Sequence, residues 1–225
     1  MDQVKNSGFN KSFEESGKNS PYTPEEDFVS LIYHSVDETA GRELLLLHNK
    51  NSIIPTCQRG CYECCKQHIL INRAEAHALG QFVRRRFSAD ETDGLRLRTR
   101  QWHNWNDNRP GRYPLSGIKL PEDSSGDRPF CPLLVEGSCS AYPMRPITCR
   151  THFVCSDPSF CRFSGNPAGA KSEPIALTSV VTATNRFSKR LRDSIKKTGP
   201  NFLCETMLLP HWLAIEMDWD FAISV

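Results

Sequence analysis

No window of this 225-residue chain approaches the ~18 consecutive apolar residues of a membrane span, and its longest aliphatic run is Leu44-Leu45-Leu46-Leu47. A one-signed charge is also missing. With 28 Lys+Arg against 26 Asp+Glu, the balance argues against a dedicated membrane-surface or nucleic-acid binder. There is no nucleotide-binding glycine loop, no serine nucleophile elbow and no internal repeat. The polar stretch Met1 to Asn19 shows no apolar segment before a cleavage site, so a secretory leader is not expected and a cytoplasmic, reducing setting is. What stands out instead is 10 cysteines in a chain long enough to build a core without disulfide staples.

The pattern around them predicts a mainly α fold with irregular cysteine-rich loops and at most short strands, organised by metal into a single domain. Residues 1–22 hold too few apolar groups to repay ordering and are expected to form a disordered tail. Residues 23–225 form the globular domain, with a cysteine-cluster region at about 55–165 and a C-terminal helical region at about 172–220. Thr23-Pro24-Glu25-Glu26 resembles a capping box, and Phe28, Ile32, Val36, Ala40 and Leu44 mark one face of the helix it starts. His68–Ile71 is short enough for a strand. Asn72 with Glu75, then Ser88 with Glu91, predict two further helix starts. The Pro, Gly, Asp and Ser between Asn106 and Pro129 predict a long loop. Ser172 and Pro174 introduce a helix presenting Leu177, Val180, Thr184, Phe187, Leu191 and Ile195, stopped by Gly199-Pro200. A last helical stretch at Leu203–Leu209 is expected to be interrupted by Pro210.

The cysteines fall into two blocks. Cys57, Cys61, Cys64 and Cys65 lie within nine residues, and Cys131, Cys139, Cys149, Cys155 and Cys161 span a proline-rich segment. Short spacings with Gly60 between them allow sulfurs to converge, as a soft cation or an iron–sulfur cluster requires. Disulfides are the alternative, disfavoured in a reducing compartment, and no Cys-x2-Cys follows a βαβ pattern that would mark a redox pair. All nine are candidate metal ligands; Cys204, among Phe202, Leu203 and Met207, is read as a core residue. Adjacent Cys64 and Cys65 diverge in regular structure, which favours two sites or a multinuclear one. Zinc and iron, including a [4Fe–4S] cluster, are not separated by spacing. His152 is a further candidate ligand, and Arg145 and Arg150 are candidates to donate to thiolate sulfur.

These residues carry a family resemblance. Cys57-Gln58-Arg59-Gly60-Cys61-Tyr62-Glu63-Cys64-Cys65, then His68-Ile69-Leu70-Ile71 and Glu75-Ala76, resembles the front half of the YkgJ-type cysteine-cluster family. Cys131-Pro132-Leu133-Leu134, Gly137-Ser138-Cys139, Tyr142, Arg145-Pro146 and Cys149-Arg150 resemble its second block. The resemblance covers roughly residues 55–165 and implies a zinc- or iron-chelating domain. The family pattern is Cys-x2-Cys-x2-Cys-Cys, whereas three residues separate Cys57 from Cys61 here, a departure that touches Cys57 alone. A related block in flagellin lysine methylases implies an iron–sulfur cluster.

Three functions follow as expectations. The first is a metal-binding protein chelating zinc or iron through both blocks, its partner the metal ion, with room for a protein partner. The second is an iron–sulfur enzyme component that transfers electrons or modifies a protein side chain, as in the lysine methylases; whether the chain is an enzyme stays open. The third is a nucleic-acid-binding zinc module using the eight arginines from Arg84 to Arg112, interleaved with Trp102 and Trp105. A charged helix with its tryptophans turned inward explains that last pattern better.

Overall fold

The structure is a computed structural model that describes residues 24–58, 60–108, 128–163, 173–196 and 206–220. The tail at 1–22, most of the 106–129 loop, Ser172, the Gly199-Pro200 stop and Cys204 lie outside the described residues.

Helix α1 (Pro24–Asn51) packs on α2 (Arg73–Arg86) and on the long α5 (Thr178–Lys196). Its four-residue apolar spacing does what the pattern predicts: Ile32, Val36 and Ala40 are buried, together with Val29 and Tyr33 on the flanking positions. Strand β1 (Leu70–Asn72) leads directly into α2. There Asn72 and Glu75 close a reciprocal capping box, with the Glu75 N–H donating to Asn72 Oδ1 at 3.1 Å. Helix α3 (Ala89–Asn108) starts on the equivalent exchange between Ser88 and Glu91. Trp102 on α3 is buried and stacks edge-on to Trp105 at 5.8 Å, so Trp102 serves the core rather than a nucleobase.

The second cysteine block is irregular, as its prolines require. It comprises the hairpin β2 (Leu134–Val135) and β3 (Ser138–Cys139), a turn at Tyr142–Met144, the short α4 (Ile147–Thr151) and a 3₁₀ segment at Pro158–Phe163. The hairpin turns on Glu136 and Gly137, both at positive φ (49° and 75°), as a two-residue loop of primed type demands.

Two helix boundaries differ from expectation. Helix α5 starts at Thr178, not near Pro174, because residues 175–177 run extended beside the second block: Val154 bridges Ala176, and the Cys155 N–H donates to the Ile175 carbonyl. Of the predicted face, Val180, Thr184, Phe187 and Leu191 on the helix and Leu177 just before it are buried, and the side chain of Ile195 lies outside the described residues. Before Pro210 the chain forms a strand, β4 (Thr206–Leu208), paired antiparallel with β1. Pro210 then stands in the first turn of α6 (Leu209–Glu216), where its missing N–H costs no hydrogen bond, so it opens a helix instead of interrupting one.

The main core gathers α1, α2, β1, α6 and the second cysteine block, with Cys131, Cys139 and Cys149 packed against its edge. Mainly helical, with two two-stranded sheets among the described residues, the architecture matches the predicted class. No described helix is long and apolar enough to cross a membrane.

Candidate metal centre

The two cysteine blocks meet. After Gly60, at φ 90°, the first block turns through Cys61 into a 3₁₀ segment at Glu63–Lys66 that carries Cys64 and Cys65. The Cys131 N–H donates to the Cys65 carbonyl at 2.7 Å, fastening the start of the second block onto the end of the first. Beyond Cys131, the Leu133 carbonyl accepts from both the N–H and the hydroxyl of Ser140, which fixes Cys139 at the hairpin end. Cys149 is placed by α4, whose first N–H, that of Ile147, donates to the buried Glu75 carboxylate at 2.8 Å.

Around this junction lies a cavity of about 310 Å³. Cys61, Cys64, Cys65, Cys131, Cys139 and Cys149 line it, over a floor of Ile69, Leu133 and Leu209 and beside Tyr142, Pro143 and Arg145. The two blocks thus contribute six thiols to one space. Among the described residues no Asp or Glu lines it, so the donor set is soft sulfur with one guanidinium nearby, which suits zinc or iron–sulfur chemistry and not a hard cation.

Electrostatics tie the thiols together. A hydrogen bond from Cys65 holds the Cys64 thiol down at about 7 against the cost of burial, with Arg145 helping, and the same bond and burial hold Cys65 far up. Burial pushes Cys131 up to about 12 and Cys149 well above its ordinary value, each reinforced by the other cysteines, while burial also raises Cys139. Nine thiols are free in the described residues. Among those residues no three His, Cys, Asp or Glu side chains already sit close enough together to hold a metal ion.

Three predicted ligands lie off the cavity. Cys57 accepts the Val154 N–H at 3.3 Å, and Cys161 is buried with its Sγ 3.6 Å from His152 Nε2. Cys155 stands apart, its thiol donating to the Ile175 carbonyl at 3.7 Å and packing against the small cluster of Ala40, Leu177 and Val180.

The two candidate arginines divide. Arg145 lines the cavity, its guanidinium 4.0 Å from the Tyr142 ring centre, and its Nε is buried without a hydrogen-bond partner. Arg150 is committed elsewhere: it pairs with Asp37, donates to the Pro143 and Arg145 carbonyls, and sits 4.3 Å over the Tyr33 ring. Sequence reasoning missed Glu75 as a site residue. Its capping partner was visible three positions away, but Ile147 and Tyr33 are distant in sequence.

No family model, curated protein or solved structure matches this chain.

Proposed function

We propose that this chain binds zinc or iron, the iron as an ion or as an iron–sulfur cluster, through thiolates from both cysteine blocks. The single observation that carries the reading is the convergence of Cys61, Cys64, Cys65, Cys131, Cys139 and Cys149 on one cavity with no carboxylate among its described lining residues. Bare thiolates crowded in an apolar space repel one another, and a cation among them reverses that repulsion. Arg145, its guanidinium over the Tyr142 ring, supplies further positive charge from the wall that favours the Cys64 thiolate. Zinc would supply a structural clamp or a Lewis acid, and a cluster would carry an electron. The resemblance to the YkgJ-type family rests on the same residues and belongs to this proposal. So does a cytoplasmic location, since thiolate ligation needs reduced sulfur.

A second reading, an iron–sulfur enzyme component acting on a protein side chain, draws on the cavity volume. About 310 Å³ is at the lower end of small-molecule pockets, with room for more than one ion. Cobalt(II) titration of the reduced apoprotein tests the metal reading. Intense sulfur-to-cobalt charge-transfer absorption that zinc abolishes supports it, and a titration giving only weak hydrated-ion bands contradicts it.

A further inference from the structure

Cys57 and Cys161 are built into a second place, next to the cavity and separate from it. The segment before the first block is zipped to the second: the Thr56 N–H donates to the Val154 carbonyl at 2.9 Å, and the Val154 N–H returns to Cys57 Sγ at 3.3 Å. The 3₁₀ turn that carries Cys161 is pinned onto the Cys64–Cys65 turn. Arg162 grips both Glu63 oxygens at 2.7 and 2.8 Å, and Gln67 Nε2 donates to the Cys161 carbonyl at 3.2 Å. Such fastening leaves Cys161 buried at 2% exposure, facing His152.

The spacing of that pair is informative. With Zn–S of about 2.3 Å and Zn–N of about 2.05 Å, a tetrahedral angle sets the S···N edge at about 3.6 Å. Cys161 Sγ and His152 Nε2 are 3.6 Å apart. An S–H···N hydrogen bond would have the same length, so the experiment must separate the two. We infer that His152 and Cys161, joined by Cys57 and Cys61, hold a second ion of the zinc class, in a site of three thiolates and one imidazole that adjoins the thiol-lined cavity at Cys61. The inference rests on the metal reading above and deepens it by adding a ligand of different chemistry and a second centre.

The backbone brings in the other two thiols: the Cys61 N–H donates to the Gln58 carbonyl at 3.0 Å, so Cys57 and Cys61 flank one turn, and Cys57 fastens that turn to Val154, two residues beyond His152. Cys61 also lines the cavity, so the Gly60 turn, at φ 90°, stands where the two places adjoin. Binding at this site closes Cys57 and Cys61 onto an edge that Cys161 and His152 already form.

The test is metal binding by the full-length reduced chain, loaded anaerobically with cadmium-113 and read by its NMR signals and stoichiometry. Wild type is expected to show a mixed thiolate–imidazole cadmium signal in addition to all-thiolate cadmium. His152→Ala should lose the mixed signal and one equivalent of tight binding, with affinity for that equivalent falling at least ~10-fold, the scale of losing a ligand contact. His152→Cys should restore the equivalent with an all-thiolate signal, which a merely structural histidine would not do. Cys149→Ser should weaken the cavity centre and leave the mixed signal. If His152→Ala keeps the wild-type stoichiometry and spectrum, the second site is wrong while the cavity reading stands. If wild type binds no cadmium through sulfur, both fail.

Discussion

The carboxylate of Glu75 accepts the backbone N–H of Ile147 at 2.8 Å, joining residues 72 positions apart. The same group receives the Tyr33 hydroxyl at 3.2 Å and the Asn72 amide at 2.8 Å, so one buried side chain binds α1, the start of α2 and the start of α4. Cys149 lies two residues beyond Ile147. The thiol's place on the cavity is therefore tied to a capping residue in the first turn of α2.

Glu75→Ala leaves the Ile147 N–H and the Tyr33 hydroxyl buried without an acceptor. At roughly 1–3 kcal/mol for each orphaned group, urea unfolding should report a loss of about 3 kcal/mol. Glu75→Gln keeps an acceptor oxygen and should lose less than half as much.

Glu75 also carries a pH signature. Burial holds its pKa above the ordinary carboxylate value despite the four groups that donate to or attract it. A raised folded-state value means the native state binds the proton more tightly than the unfolded chain does. Its contribution to stability is then fullest in acid and is lost as pH rises from the ordinary value through the shifted one. Unfolding of the metal-free Glu75→Gln protein should be flatter over that window than wild type. An unchanged slope would assign the pH dependence to other groups.

Arg150→Lys should behave as a disruptive change. The planar fork of Arg150 reaches Asp37 and two carbonyls while lying over Tyr33, and an ammonium cannot reproduce that set. Loss of about 2–3 kcal/mol is expected from thermal or urea unfolding, on the scale of a broken buried charge network. Since Arg150 spends its donors away from the thiols, cobalt affinity of the folded fraction should stay within about threefold of wild type.

Gly80→Ala tests the packing of α2 on α6. A Cβ at Gly80 would lie 2.8 Å from the Glu216 Cβ, close to backbone that cannot swing away as a flexible chain end would. Overpacking should cost about 1–3 kcal/mol and outweigh the better helix propensity of alanine.

The cysteines should separate by place. Cys149→Ser is expected to lower metal content, because it removes a thiol from the cavity lining. Cys155→Ser is expected to retain wild-type metal content, since Cys155 donates to the Ile175 carbonyl off the cavity. Equal loss from both variants, measured by elemental analysis of folded protein, would contradict that division.

Local signals in the sequence carried far. The Asn72–Glu75 and Ser88–Glu91 pairs start their helices through the bonds their spacing allows, and Ile32, Val36 and Ala40 on α1 and Val180, Thr184, Phe187 and Leu191 on α5 are buried while Phe28 and Leu44 are half-buried. Proline was harder to read. Pro210 as an interruption and Pro210 as a first-turn residue look alike until β4 is seen to pair with β1. The grouping of the thiols was not legible either. It depends on Thr56 and Cys57 meeting Val154, and on Arg162 meeting Glu63, contacts made across nearly a hundred residues. The adjacency of Cys64 and Cys65 raises the expectation of two sites or a multinuclear one; both thiols line the cavity, whereas Cys57 and Cys161 lie off it.

The most direct test is elemental analysis with acid-labile sulfide determination on full-length protein purified anaerobically without added metal. Stoichiometric zinc without sulfide, or iron with or without matching sulfide, is the predicted result, and Cys64→Ser should lower it. Folded, reduced protein carrying neither zinc nor iron above about a tenth of an equivalent would contradict the claim that the two cysteine blocks form a metal centre.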